Sequence, residues 1–278
     1  MKRISYLSLA FAAVVALGLV VSSLAIAADG RDCTPPVNTP VPNSAVIHER
    51  VFNDCPSSTV ASLNAYPLVR ISDTDFDCVG GANLHIWSFS EDGITPAVFE
   101  NCSHYKFGAV FTGSGVGVSE GGLRLSPWWS LDVDGRFMCR INGNGEIACF
   151  GGRLPFYSFT GAYGITYAPG TPIWLGIEYN PHTLANGDPA TIVYTVLYNG
   201  NTYVSPYLPF DQGTATEDPP HGLFGELYPA RAGGYCQLGG AGGAVVSMDA
   251  LWTDISFVGP SATPASHPTW GQLKTLYR

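Results

Sequence analysis

The stretch from residue 172 to 204 constrains the fold of this chain most. Pro172-Ile-Trp-Leu-Gly-Ile-Glu-Tyr179 and Thr191-Ile-Val-Tyr-Thr-Val-Leu-Tyr198 are dense in β-branched and aromatic residues, with Asn186-Gly187 between them. Asn199-Gly200 then separates the second run from Thr202-Tyr203-Val204. Such side chains suit a pleated surface, and Asn-Gly supplies the two positive-φ positions of a type I′ hairpin turn. A two-residue turn also fixes the register: Tyr198 opposite Asn201, Val196 opposite Tyr203, Tyr194 opposite Ser205. The chain must build an antiparallel sheet around this hairpin.

Shorter strand patterns precede it at Arg70-Ile71, Leu84 to Phe89, Lys106 to Thr112, Gly122 to Leu125, Phe137 to Ile141 and Glu146 to Phe150. A last strand runs from Val245 to Phe257, with a bend or bulge expected near Asp249. No helical periodicity of useful length occurs between Val46 and Phe257. The 33 Gly and 21 Pro suit short strands joined by tight turns. These features predict an all-β fold, an antiparallel β-sandwich of jelly-roll type over residues 46–258, a length one such domain can hold.

The two ends read differently. Lys2 and Arg3, the apolar run Leu7 to Val21 and Ala25-Ile26-Ala27 form the pattern of an N-terminal signal peptide over residues 1–27, with cleavage expected after Ala27. Residues 28–45 are a Pro-rich extended lead-in. Residues 259–268 are a Pro/Ser/Ala linker, and 269–278 a short helical tail. There Thr269 and Gln272 fit a capping box, and Trp270, Leu273 and Tyr277 share one face. So short a helix is marginal alone, so it is expected to dock, on its own domain or on a sorting or surface partner. The expected location is secreted, extracellular or in the cell envelope.

Loss of Lys2 and Arg3 with the leader takes the formal charge from −9 to −11, which argues against nucleic acid as a partner. Glycans or cell-envelope components are the expected partners. The seven cysteines contain no C-x-x-C pair, so export favours disulfides over metal or redox chemistry. Cys139 and Cys149 flank a hairpin with two Asn-Gly signals and are expected to pair. Cys33 with Cys55 and Cys78 with Cys102 are the neighbour pairings, leaving Cys236 free and buried.

Gly117-Val-Ser119-Glu-Gly121 matches the G-x-S-x-G string of serine hydrolases, but the following Leu123-Arg-Leu-Ser-Pro lacks the helix that a nucleophile elbow needs. Asp73, Asp75 and Asp77 alternate, which on a strand would put three carboxylates on one face as weak Ca²⁺ candidates. Asp132 and Asp134 add two more, and no other cofactor is expected. Glu146 and Glu178 lie on expected strands without the closely spaced partner that a glycosidase pair needs. Trp87, Trp128, Trp129, Tyr157, Tyr163, Tyr167, Trp174 and Trp252 could stack on sugars, though most belong in a core. Trp128 and Trp129 are the favoured binding pair, because adjacent residues of an extended segment face opposite sides.

Three resemblances add to this. Ile173-Trp-Leu-Gly-Ile-Glu-Tyr, Tyr198-Asn-Gly-Asn-Thr-Tyr and Met248-Asp-Ala-Leu-Trp-Thr-Asp-Ile-Ser-Phe resemble the later strands of concanavalin-like (laminin-G/lectin-type) jelly rolls over about residues 107–258. Arg231-Ala-Gly-Gly-Tyr235-Cys-Gln237 resembles the K-A-G-x-Y-x-Q segment of alginate-lyase-type polysaccharide lyases, and Asn83-Leu-His85 their Q-I-H. That resemblance implies Tyr235 as general acid/base, with Asn83, His85 and Arg231 neutralising a uronate carboxylate. The R-x-E-L string of those lyases is missing, and Asn83-Leu-His85 stands far earlier in the chain than their order places it. The Trp270-Gly-Gln-Leu-Lys-Thr-Leu-Tyr-Arg278 ending resembles short endings of some bacterial secreted proteins. The combined expectation is a non-catalytic carbohydrate-binding or adhesive sandwich, with a polysaccharide lyase or a structural envelope protein as alternatives on the same fold.

Overall fold

A computed structural model of the chain describes residues 40–99, 103–126, 135–151, 154–182, 190–209, 231–240 and 242–259. The expected signal peptide, most of the lead-in, Trp128–Trp129, nearly all of the linker and the helical tail lie outside the described residues. Two sheets face each other. The seven-stranded sheet contains β1 (Ser44–Asn53), β4 (Ala82–Ser90), β14 (Arg231–Gly239), β6 (Val118–Ser126), β7 (Gly135–Arg140), β8 (Ile147–Phe150) and β9 (Tyr157–Ser158), in that spatial order. The eight-stranded sheet runs β12 (Asn201–Val204), β11 (Thr191–Tyr198), β10 (Ile173–Asn180), β5 (Tyr105–Val116), β15 (Val246–Val258), β3 (Leu68–Phe76), β2 (Thr59–Ala65). Its remaining strand, β13 (Leu208–Pro209), pairs with β11. Every ladder is antiparallel.

The Asn199-Gly200 hairpin has the register its turn dictates, Tyr198 opposite Asn201 and Val196 opposite Tyr203. Asn199 and Gly200 both take positive φ. Alternation then sends Ile192, Tyr194, Val196 and Tyr198 into the core and Val193, Thr195 and Leu197 outward. Between the sheets, Trp87 meets Trp252 edge-on at 6.1 Å between ring centroids. The Trp252 indole N–H donates to the Gly122 carbonyl across the core at 2.9 Å. Gly234 makes room for both rings: a Cβ there would lie 2.7 Å from Trp87 Cε2 and 2.8 Å from Trp252 Nε1.

A single helical turn, α1 (Phe159–Tyr163), capped by the Ser158 hydroxyl, interrupts the strands; five residues are too few to leave a period in the sequence. As expected, β15 is irregular near Asp249: its register shifts between Val246 and Met248, and again between Thr253 and Ser256, with Asp254 at positive φ.

The expected cysteine pairings need correction. The disulfide joins Cys55 to Cys78, which rules out Cys33–Cys55 and Cys78–Cys102. Cys139 and Cys149 are free and buried, because the hairpin sets Cys139 opposite Ile147 and Cys149 opposite Phe137. Residues two out of register sit about 7–8 Å apart, beyond the usual disulfide reach of about 4.4–6.8 Å between Cα atoms. Cys236 is free and buried as expected.

Candidate functional site

The lyase-like quartet is divided by its own sheet. β14 and β4 pair with Tyr235 opposite Ile86 and Cys236 opposite His85, so Tyr235 and His85 point to opposite faces. Asn83 and His85 point into the sandwich and are fully buried. Tyr235 points outward but is also buried, packed with Leu84, Ile86, Met138 and Ala148. Arg231 shares the outer side four residues away, a distance of about 13 Å along a strand. No single cavity can present these four groups to one sugar ring.

Asn83 and His85 serve the interior instead. The Arg50 backbone N–H donates to His85 Nδ1 at 3.1 Å, which leaves the proton on Nε2 to donate to Asp73 Oδ2 at 3.0 Å. Asn83 donates to the same oxygen at 2.8 Å, and its Oδ1 accepts from the Cys55 N–H at 3.1 Å. The Arg50 guanidinium holds the carbonyls of Cys55 and Ser58. Burial opposes the charge on Asp73, but hydrogen bonds involving His85, Ser58 and Asn83 outweigh it and hold the carboxyl below the usual range. This node ties β1, β3 and β4 to the segment carrying the Cys55–Cys78 disulfide.

The alternation of the Asp string fails at its middle. Asp75 takes φ 59°, and the face order slips by one, so Asp73 and Phe76 are buried while Asp75 and Asp77 are exposed. The three carboxylates therefore cannot share an ion. Asp77 lies close to both sulfurs of the disulfide, which are bonded to each other and not available as ligands. Ser119 of the G-x-S-x-G string is buried at the start of β6, with strand and not helix after it. Glu146, beside β8, and Glu178, on β10, belong to opposite sheets.

On the outer side of the seven-stranded sheet, Arg136 pairs with Glu120 at 2.8 Å and lies over the Tyr235 ring at 5.0 Å from its centroid. The Tyr235 hydroxyl reaches Glu120 at 3.4 Å. These groups satisfy one another in a largely buried row.

The outer face of the eight-stranded sheet carries the remaining candidate, a partly exposed indole. Trp174 stands between Val110 and Leu197 on the neighbouring strands, pointing away from the core. Two residues on, Gly176 and Gly108 lie side by side, and the indole lies across both. A Cβ at Gly108 would come within 2.6 Å of Trp174 Cζ2, and one at Gly176 would overlap the far edge of the ring. Only a pair of glycines lets the ring lie flat on the sheet. The row is completed by Thr195 beyond Gly176 and Ser256 beyond Gly108, which set a hydroxyl on each side of the ring. Ahead of it, Glu178 faces Lys106 at 3.5 Å and His104 at 3.2 Å, all three partly exposed.

Trp87, Trp252 and Tyr167 are core residues. Tyr157 and Tyr163 pack around Phe159 of α1. Trp174 is one of the eight stacking candidates named from the sequence; the signal that singles it out is a glycine two residues after it on a strand, with a second glycine on the neighbouring strand.

No protein-family model and no curated protein sequence matches the chain. Among solved structures it is similar to a lectin from Bauhinia forficata in complex with GalNAc, at 10% identity and TM-score 0.37, over 77% of this chain and 99% of that one. It is also similar to a point mutant of the Emp46p carbohydrate recognition domain, at 12% identity and TM-score 0.31, over 70% of this chain and 86% of that one. The potassium-bound form of that domain matches at 10% identity and TM-score 0.28, over 71% and 87% of the two chains.

Proposed function

We propose that this chain is an exported, non-catalytic glycan-binding β-sandwich whose contact surface is the outer face of the eight-stranded sheet. The Trp174 platform carries the reading. A partly exposed indole that lies over two backbone glycines could take the apolar face of a pyranose on its outer side, and stacking of this kind orients a sugar without chemistry. Thr195 and Ser256, in the same cross-strand row as Gly176 and Gly108, with Glu178 and Lys106 two residues further on, supply hydrogen-bonding groups around the ring. The Cys55–Cys78 disulfide suits an oxidising compartment, in line with the expected leader.

The lyase alternative is less well supported, because its acid/base and its carboxylate-neutralising residues face opposite sides of one sheet. Trp128 and Trp129 stand as a second candidate contact. A glycan array probed with the parent chain, a Trp174→Ala variant and a Trp128→Ala, Trp129→Ala variant tests the proposal. The expected result is a defined glycan signal lost with Trp174→Ala. Binding to no glycan at all would leave a structural envelope role as the better reading.

A further inference from the structure

The two edges of the Trp174 indole differ. A Cβ at Gly108 would meet Cζ2 and Cε2 of the ring, and one at Gly176 would meet Cη2, Cζ3 and Cζ2. Cε2 is the carbon that carries the ring nitrogen, so the N–H edge is turned towards β5 and the all-carbon edge stays over β10. Among the described residues no group accepts a hydrogen bond from this N–H, whereas the buried Trp252 N–H has the Gly122 carbonyl. On the same side, Val110 stands directly opposite Trp174 on β5 and is partly exposed. Its neighbours Ala109 and Phe111 are buried, so Val110 points outward with the indole. One flank of the platform therefore offers a donor and an isopropyl group side by side. The charged groups ahead of the ring offset one another: Glu178 is held by Lys106 at 3.5 Å and His104 at 3.2 Å, in a chain whose formal charge is −9.

Resting on the glycan reading of this platform, we propose that the site selects neutral sugars carrying an acetamido group, whose carbonyl accepts from Trp174 Nε1 and whose methyl group covers Val110. A sugar stacked on the ring shields the N–H from water, and a shielded donor left without an acceptor costs affinity. The substituent that answers this flank must hold an acceptor and a methyl group close together. An acetamido group carries both on one carbon. A plain hydroxyl accepts but leaves Val110 exposed to water. A 6-deoxy methyl covers Val110 but leaves the N–H unmet. The ammonium of a free amino sugar sets a donor against a donor. A uronate carboxylate accepts, but it brings negative charge to an acidic chain, beside a Lys106 already shared with Glu178.

The test is titration of the isotope-labelled full chain with methyl glycosides of N-acetylglucosamine and N-acetylgalactosamine, each beside its plain hexose, its free amine and its uronate, followed by NMR at the indole N–H resonances. Trp174→Phe identifies the Trp174 signal and keeps an aromatic ring without the N–H. At least one acetamido sugar is expected to bind about tenfold tighter than its plain hexose and to move the Trp174 signal. In Trp174→Phe that preference is expected to fall to about twofold or less, and Val110→Ser is expected to reduce it too. Three results would overturn the inference and leave the platform standing: equal affinity for acetamido and plain sugars, a preference that Trp174→Phe retains in full, or tighter binding of a uronate. Binding of none of these sugars overturns it as well; the platform then stands only if the array shows a glycan signal that Trp174→Ala removes.

Discussion

Gly176→Ala separates the platform from the fold. Gly176 lies on the outer side of β10, and the three atoms nearest to an added Cβ there all belong to the Trp174 indole, at Cη2, Cζ3 and Cζ2. The closest resistance to the methyl is therefore the end of one side chain, and the ring is what must move first. Displacing one side chain from its rotamer costs about 0.5–1.5 kcal/mol, while replacing a strand glycine by alanine returns about 0.5–1 kcal/mol in backbone entropy. The melting temperature is therefore expected to stay within a few degrees of the parent. Binding is expected to suffer more, because a tilted ring loses its parallel approach to a sugar: about 1.4 kcal/mol, a tenfold weaker Kd. Calorimetric titration with the array-selected glycan, alongside thermal unfolding, measures both. Equal affinity in parent and variant would refute the platform. A loss of several kcal/mol of stability would show that the indole is seated for the fold and not for a ligand.

The other predictions concern the interior. Replacing Cys55 and Cys78 together by serine opens a loop of sequence separation 23 and is expected to lower stability by about 3 kcal/mol, read from denaturant unfolding. The Cys139, Cys149 and Cys236 thiols are pushed up by burial, so they are expected to resist alkylation in the native chain at pH 8 and to react only on unfolding, as mapped by mass spectrometry. Asp73 has a folded-state pKa below its unfolded value, so it contributes stability above the ordinary carboxylate range that is lost as pH falls through and below that range. Asp73→Asn is therefore expected to flatten the acid limb of the stability profile; an unchanged limb would contradict the hydrogen-bonded node. Part of the acid slope is expected to remain, because Asp92 is held low by the N–H groups of Thr95 and Ile94 and the Ser90 hydroxyl.

The central hairpin was legible because three local signals agreed: β-branched runs, an Asn-Gly turn and strict alternation. β2 was not, because Thr59–Ala65 is an edge strand exposed along almost its whole length and carries no alternation to read. The Asp73, Asp75, Asp77 string failed for a single residue, since one positive φ at Asp75 exchanges the faces of everything after it. Tyr235 and His85 could have been separated earlier from strand parity, had Cys236 been known to stand opposite His85. That pairing joins residues far apart along the chain, which no local pattern encodes. Trp174 escaped for the same reason: half of its seat, Gly108, comes from another strand. Cys55 and Cys78 are also neighbours along the chain, at a separation of 23, so spacing alone could not choose them over Cys33–Cys55 and Cys78–Cys102; Cys55 follows β1 and donates its N–H to Asn83, while Cys78 follows β3, a placement that only the fold sets.

The account rests on Trp174 as a ligand platform, and Kd for an array-selected glycan in parent and Trp174→Ala tests it most directly. Loss of binding beyond detection, with an unchanged melting temperature, is the predicted result. Binding that survives Trp174→Ala at parental affinity would contradict the account and move the ligand to another surface of the sandwich.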